Sequence, residues 1–222
     1  MEELELIIAS GTIPISTLDP RYPQRLFRLP DPPTILYVRG TLPDEAKTAV
    51  AVVGTHQADA EGIADGVAWG KGLAQRDAIV VSGLARGIDG AAHVGALAAS
   101  GTTVAVLGGG FDNIYPPEHA TLAAEIAKTG ALLSEYPPRA PLTKPRLIAR
   151  NRIIVGLSDA VVVVRLHADA RGSMEAIHKA GDLAIPVFLV ATDVGPKSQE
   201  AVADGAVPIG QAPDFDLVLN YL

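Results

Sequence analysis

The chain has no cysteine among its 222 residues, which excludes disulfides, thiolate metal sites and cysteine nucleophiles. No apolar run reaches the roughly eighteen residues that a membrane-spanning helix requires. The opening, MEELELIIAS, is acidic and lacks the basic start and long apolar core of a signal peptide. These absences predict a soluble, cytoplasmic protein with no membrane partner. Charge is also sparse, at 19% of residues against 48% hydrophobic, a balance typical of globular chains and not of disordered ones. Positive charge is the scarcer sign: 18 Lys and Arg against 25 Asp and Glu give a formal net charge of −7. General adhesion to polyanions is therefore disfavoured, and any nucleic-acid role has to rest on a local basic patch.

What is present is a regular alternation. From Thr48 onward the apolar runs TAVAVVG (48–54), AIVVSG (78–83), TTVAVLGGG (102–110), ALLSEYP (131–137), DAVVVVRL (159–166) and IPVFLVA (185–191) recur, mostly separated by helical stretches, several of them alanine-rich. Continuous apolar strands separated by helices are what a parallel sheet buried on both faces requires. The predicted fold class is α/β, an extended Rossmann-like, doubly wound, mostly parallel sheet forming a single domain. Residues 1–45 are read as an N-terminal extension packed on a core of residues 46–222. Within the extension, YPQRLFRLPDPPTILYVRG sets apolar residues between turn formers, and Ile35, Leu36 and Tyr37 suit a short strand or an anchor laid on the core.

Ligands of such sheets sit beyond the carboxyl ends of the strands, where loops enter helix N-termini. That rule selects VVGTH, VSGLARG, LGGGFD and the loop before GSMEA. Gly54 lets backbone approach a ligand, with the amide of Thr55 beside it. Ser82, Gly83, Leu84, Ala85, Arg86 and Gly87 combine backbone amides, a hydroxyl and a guanidinium at the start of a helix, a set suited to an anionic oxygen. Gly108 and Gly109 repeat the theme one strand further on. Each loop also reads as a tight structural turn, but two glycine loops at neighbouring strand ends favour a phosphate-binding crevice. The G-x-G-x-x-G spacing of a dinucleotide site is missing after the first strand.

Asp89 and His93, four residues apart, can share one helix face and a hydrogen bond. Ser82 is the only nearby nucleophile candidate, and neither triad geometry nor metal-ligand spacing is evident. The pair is therefore read as braces of the helix, with no catalytic residue, metal or cofactor expected. Arg139, Lys144, Arg146, Arg150 and Arg152 place five positive charges within fourteen residues. They form either a solvated basic loop or the basic wall of a groove for a run of phosphates.

These blocks, together with YPQRLFRLPDPPTILYVRG, VSGLARGIDGAAHVGAL, TVAVLGGGFDNIYPPEH, LLSEYPP and ARNRIIVGLSDAVVVV, resemble the DprA/Smf family of DNA-processing proteins over roughly residues 20–165. A weaker match continues through GSMEAIHKAG to DGAVP. The resemblance implies an extended Rossmann domain, usually a homodimer, that holds single-stranded DNA in a basic pocket and hands it to the recombinase RecA during transformation, without turnover. Position by position, it places DNA contacts on Gly54 and Thr55, on Ser82 to Gly87, and on Lys144, Arg150, Asn151 and Arg152. Amides and basic side chains on phosphate read no base edges, so such binding is independent of sequence.

The departures from the family pattern fall where DNA would bind. His56 stands where the family usually has arginine, and Leu147 where it has an aromatic residue able to stack on a base. Arg165 ends a strand that in the family ends in glutamate, and Arg171-Gly172-Ser173 replaces S-G-S, which adds Arg171 and Ser173 to the candidate anion contacts. The alternative is a nucleotide-binding sensor or nucleotide-processing enzyme on the related LOG-like Rossmann fold. The lost arginine and aromatic favour that alternative, and the absence of P-G-G-x-G-T opposes it. A scaffold acting only through protein contacts is a third reading. Neither a C-terminal winged-helix module nor an N-terminal helical module is expected within this length.

Overall fold

In the computed structural model, which describes residues 2–167, 170–190, 195–210 and 213–222, the apolar runs become the sheet. Its strands are β1 (Ile13–Ser16), β2 (Ile35–Gly40), β3 (Ala49–Gly54), β4 (Ile79–Ser82), β5 (Thr103–Leu107), β6 (Ala131–Ser134), β7 (Ala160–Val164), β8 (Val187–Val190) and β9 (Val207–Ile209). The helices are α1 (Glu2–Ala9), α2 (Ala60–Ala74), α3 (Ile88–Ala98), α4 (Ala120–Thr129), α5 (Lys144–Ala149), α6 (Asn151–Gly156), α7 (Arg171–Asp182), α8 (Pro196–Ala203) and α9 (Phe215–Asn220). Ala191, the last residue of the run IPVFLVA, and residues 168–169 of the loop before α7 lie outside the described residues.

Among the described residues the strands form one sheet in the order β1-β2-β6-β5-β4-β3-β7-β8-β9. The pairs from β6 through to β9 are parallel, while β1–β2 and β2–β6 are antiparallel. The fold is thus the α/β, Rossmann-like, doubly wound one that the alternation of runs predicts. β3 lies between β4 and β7, so the winding reverses there, and a crevice opens beyond the strand ends at that reversal.

Strand alternation explains how both faces are buried. Val50 and Val52 of β3 pack with Trp69 and Leu73 of α2 and with Ile88, Ala92 and Ala96 of α3. Ala51 and Val53 turn to the other face, against Ile153 and Ile154 of α6 and Met174 and Ile177 of α7. A third cluster sets Ala123 and Ile126 of α4 over Ala105 and Leu107 of β5 and Leu132 of β6. Each fully buried Val, Leu or Ile contributes about 1.5–3 kcal/mol relative to exposure, so these faces hold the sheet together. Asp59 starts α2 by accepting a hydrogen bond from the Gly62 amide at 2.8 Å.

Residues 35–37 belong to a strand, and Tyr37 of β2 pairs with Ser134 of β6. Tyr22, Leu26 and Leu29 bury themselves in the core beneath β3. Arg25 fastens this segment to the sheet: its Nη2 lies 2.7 Å from Asp159, which also accepts from the Ala49 amide at 2.9 Å. The basic segment 144–156 is two short helices and not a loop. Thr143 opens the first by accepting from the Arg146 amide, and Pro145 suits its first turn because no N–H partner is needed there. Among the described residues, no helix is long and apolar enough to cross a membrane.

Candidate anion-binding cleft

A cleft of about 440 Å³ opens at the reversal point between β3 and β7. Gly54, Thr55 and His56 at the end of β3 line it, with Gly83, Ala85 and Arg86 after β4. Lys144, Arg150 and Asn151 of the α5–α6 segment and Arg171, Gly172 and Ser173 at the start of α7 complete the wall. Segments far apart in sequence therefore meet here as the strand-end rule predicts. Two loops can approach so closely because Gly87 has φ +72° and packs on the Thr55 and His56 backbone, where a Cβ would overlap the Thr55 carbonyl. The Ile88 amide donates to that same carbonyl at 3.2 Å.

Beneath the cleft, Asp89 accepts from the Gly83 amide at 3.1 Å and lies 3.7 Å from Nη2 of Arg150. Nη1 of Arg150 donates to the carbonyl oxygens of Gly83 and Val106. A Cβ at Gly83 would overlap the guanidinium, so a larger residue there would have to displace Arg150. Burial pushes the Asp89 carboxyl up, opposed by the Arg150 charge and by the amides of Gly83 and Ala85. Burial likewise pulls Arg150 down, opposed by Asp89. Arg150 also lines the cleft, and its buried Nε has no hydrogen-bond partner.

This arrangement changes the role of the backbone amides. Those of Gly83 and Ala85 serve Asp89, and that of Thr55 donates to the Arg165 carbonyl at 3.1 Å. The carboxylate inside the protein thus occupies amides that the sequence suggests for a ligand. Ser82 is buried and donates to the Val52 carbonyl at 2.6 Å, and Leu84 is buried in the α4-side core. Both lie under the cleft and do not line it. Gly108 and Gly109 line a narrower crevice that shares Gly83, Tyr115 and Leu147 with the cleft.

The cations divide into free and committed groups. Lys144 and Arg171 are exposed on the cleft, and among the described residues no carboxylate pairs with either. Arg171 opens α7, whose N-cap Ala170 has no side chain to cap the first turn, so the positive end of the helix dipole adds to its charge. Asn151 is held by donating to the Gly172 carbonyl at 3.1 Å, and Ser173 is buried beside it. Arg86 pairs with Glu118 at 2.6 Å while remaining exposed. Arg152 is not brought into the cleft: it pairs with Asp31 at 3.0 Å and Glu135 at 2.6 Å and lines a separate groove. Arg165 turns back to Asp65 at 2.9 Å and Glu61 at 3.1 Å on α2. Arg146 sits over the Tyr136 ring, 4.2 Å from its centroid.

Asp89 and His93 both brace the structure, but with other partners than each other. The Thr103 hydroxyl donates to the Val80 carbonyl at 2.7 Å, so it must accept from Nδ1 of His93, also at 2.7 Å. This fixes the Nδ1–H tautomer and ties α3 to β5. Burial, with the nearby Arg150 charge, lowers the His93 pKa to about 3. Sequence reasoning missed Tyr115, an exposed ring on the cleft wall; its only signal is an aromatic residue in the turn-forming stretch NIYPP. Away from the cleft, His178, Glu200 and Asp204 form an exposed group with metal-ligand spacing among the described residues, already tied by His178 to Asp204 at 3.1 Å and by Lys197 to Glu200.

A doubly wound sheet with cations gathered at its reversal point defines a Rossmann-like protein with a cationic cleft. Residues 14–215 match the family of the DNA recombination-mediator protein A, and the chain belongs to that family, the DprA/Smf DNA-processing proteins. The DNA processing protein DprA of Bacillus subtilis is 38% identical over 181 residues, which cover 81% of this chain and 60% of that protein. The chain therefore spans less than two thirds of the length of that relative. The structure of DNA processing protein A from Helicobacter pylori, studied for its single-stranded DNA binding mode, superposes with a TM-score of 0.82 at 26% identity, covering 95% of each chain. That of DprA from Streptococcus pneumoniae gives 0.82 at 31% identity, covering 92% of this chain and 74% of the other.

Proposed function

We propose that this protein binds single-stranded DNA through the cleft, without turnover, and as a homodimer delivers the strand to the recombinase RecA in transformation or recombination. The observation that carries the reading is the exposed pair Lys144 and Arg171, which no carboxylate compensates among the described residues, facing one cleft of an acidic chain. Arg86, Asn151, Ser173 and His56 supply further donors around them, while Arg150, buried against Asp89, holds the shape of the Gly83 loop. Side chains, together with the start of α7, do the work on phosphate that the amides of Gly83 and Thr55 do not, since those amides serve the protein itself. Arg152 supports the site from behind, by holding Glu135 and Asp31.

A non-catalytic role agrees with the placement of the titratable groups. Asp89 is consumed by Arg150 and the Gly83 amide, and His93 lies buried behind it. The volume, about 440 Å³, would also accept one mononucleotide, which keeps a nucleotide sensor as the second reading.

The deciding experiment is a salt titration of oligothymidylate binding beside a thermal-shift panel of mononucleotides. Strand binding should weaken with a log–log slope of about −0.7 per phosphate contacted, and Lys144→Ala should remove one such increment. Binding that ignores both salt and Lys144→Ala rejects the proposal. Stabilisation by a mononucleotide but not by the oligonucleotide selects the second reading. Light scattering at twice 23.0 kDa, and co-sedimentation with RecA on single strands, test the remaining parts.

A further inference from the structure

Among the described residues, the exposed cations of the cleft are not equivalent: Lys144 and Arg171 have no carboxylate partner, and Arg86 has one. Glu118, in the turn Pro117–His119 after β5, accepts from Nε of Arg86 at 2.6 Å. That hydrogen bond holds the Glu118 carboxyl below its ordinary range, so the partner is a full negative charge at neutral pH. Nη1 of Arg86 donates to the Tyr115 hydroxyl at 3.3 Å, so the loop after β5 engages both nitrogens. Glu118 itself does not line the cleft and grips Arg86 from beside it. The turn does not depend on this pair for its position. His119 anchors it separately, with Nδ1 donating to the Leu84 carbonyl oxygen at 2.9 Å and the amide to that of Pro116 at 2.9 Å. Both members of the pair stay about half exposed, at 49% and 52% of their side chains. Such a pair contributes little to folding, because water screens it and two long side chains must be immobilised to form it. Its effect is on charge: a carboxylate on a guanidinium takes donors that a phosphate oxygen would use and cancels the charge that would attract it.

We propose that Glu118 is a built-in competitor for phosphate, which withholds most of the Arg86 charge from a bound strand and so limits the affinity of the cleft. This rests on the strand-binding reading above and deepens it. Phosphates meet Lys144 and Arg171 first, and Arg86 offers them its full charge only when Glu118 lets go. A strand held below the greatest affinity the cleft can reach is easier to pass on, which delivery to a second protein requires.

The test is a double-mutant cycle on oligothymidylate binding, measured over a salt series for wild type, Glu118→Gln, Arg86→Ala and the two substitutions together. Glu118→Gln should bind roughly 2- to 5-fold more tightly at low salt, a gain of the size that one exposed ion pair can withhold. Its salt slope should steepen by up to about 0.7, the increment of one further phosphate contact. A gain in affinity cannot come from damage to the fold. In the Arg86→Ala background the same Glu118→Gln change should alter neither affinity nor slope, because the charge it releases is gone. Unchanged or weaker binding by Glu118→Gln overturns the competitor alone. So does a gain that persists without Arg86, which would report only the loss of one negative charge from the surface. Wild-type protein that does not bind the oligomer overturns the strand-binding reading and the competitor with it.

Discussion

The Arg150 guanidinium and the Asp89 carboxylate lie 3.7 Å apart, with only 6% and 9% of their side chains exposed. Between them they hold both ends of the Gly83 peptide: Asp89 takes the N–H and Arg150 the carbonyl oxygen. The shape of the loop after β4 therefore depends on a charge pair contributed by α3 and by the joint of α5 and α6. Removing one partner leaves a buried charge uncompensated, a loss of about 3–5 kcal/mol. Arg150→Ala should lower unfolding free energy by that amount in a denaturant titration. The double replacement Asp89→Leu with Arg150→Met should recover part of it, and a double variant no more stable than the single one would count against the pair.

Gly87→Ala tests the close approach of the two loops. The position has φ +72°, and a Cβ would overlap the Thr55 carbonyl. Backbone strain alone costs about 1–3 kcal/mol, so the urea midpoint should fall by at least that equivalent. Gly181→Ala, within α7 where a Cβ meets nothing, should leave the midpoint unchanged or raised by up to about 1 kcal/mol.

His93 predicts an acid-sensitive fold. Its folded pKa, lowered to about 3 from the ordinary value of 6.5, means that the unfolded chain takes up a proton that the folded one refuses. The His93 contribution is complete above the unfolded value and is lost as pH falls from about 6.5 towards 3, at about 1.4 kcal/mol per pH unit over most of that window. Urea unfolding at successive pH values should show this slope in wild type, and His93→Gln should flatten it.

Arg171 and Arg152 should separate binding from stability. Arg171→Ala removes an exposed cation with no carboxylate partner among the described residues, so it should weaken strand binding equally across sequences and reduce the salt slope by about 0.7, with unchanged melting. Arg152→Ala leaves the largely buried Glu135 without its partner. It should lower stability by about 1–3 kcal/mol in a denaturant titration and leave the salt slope unaltered.

Much of this architecture can be read along the chain. Runs such as AVAVV and AVVVV mark strands buried on both faces, and the glycines after them mark where backbone must come close to backbone. The same signals locate the cleft, because in a doubly wound sheet the strand ends and the helix starts share one side. The basic character of residues 139–152 is equally plain in one dimension. Which of those charges is available is not, because partners such as Asp31 for Arg152 and Glu118 for Arg86 are chosen by long-range packing.

The sequence by itself determined the fold class, the position of the cleft and the chemistry gathered around it, because strand burial and glycine requirements are local properties of residue type. Only the tertiary structure decided how that chemistry is used. It spent the Gly83 and Thr55 amides and the Arg150 charge inside the protein, left Lys144 and Arg171 exposed with no carboxylate partner among the described residues, and turned Tyr115 into the wall. Availability depends on which opposite charge or carbonyl the folded chain brings within hydrogen-bond distance, and that is set by contacts between segments far apart in sequence.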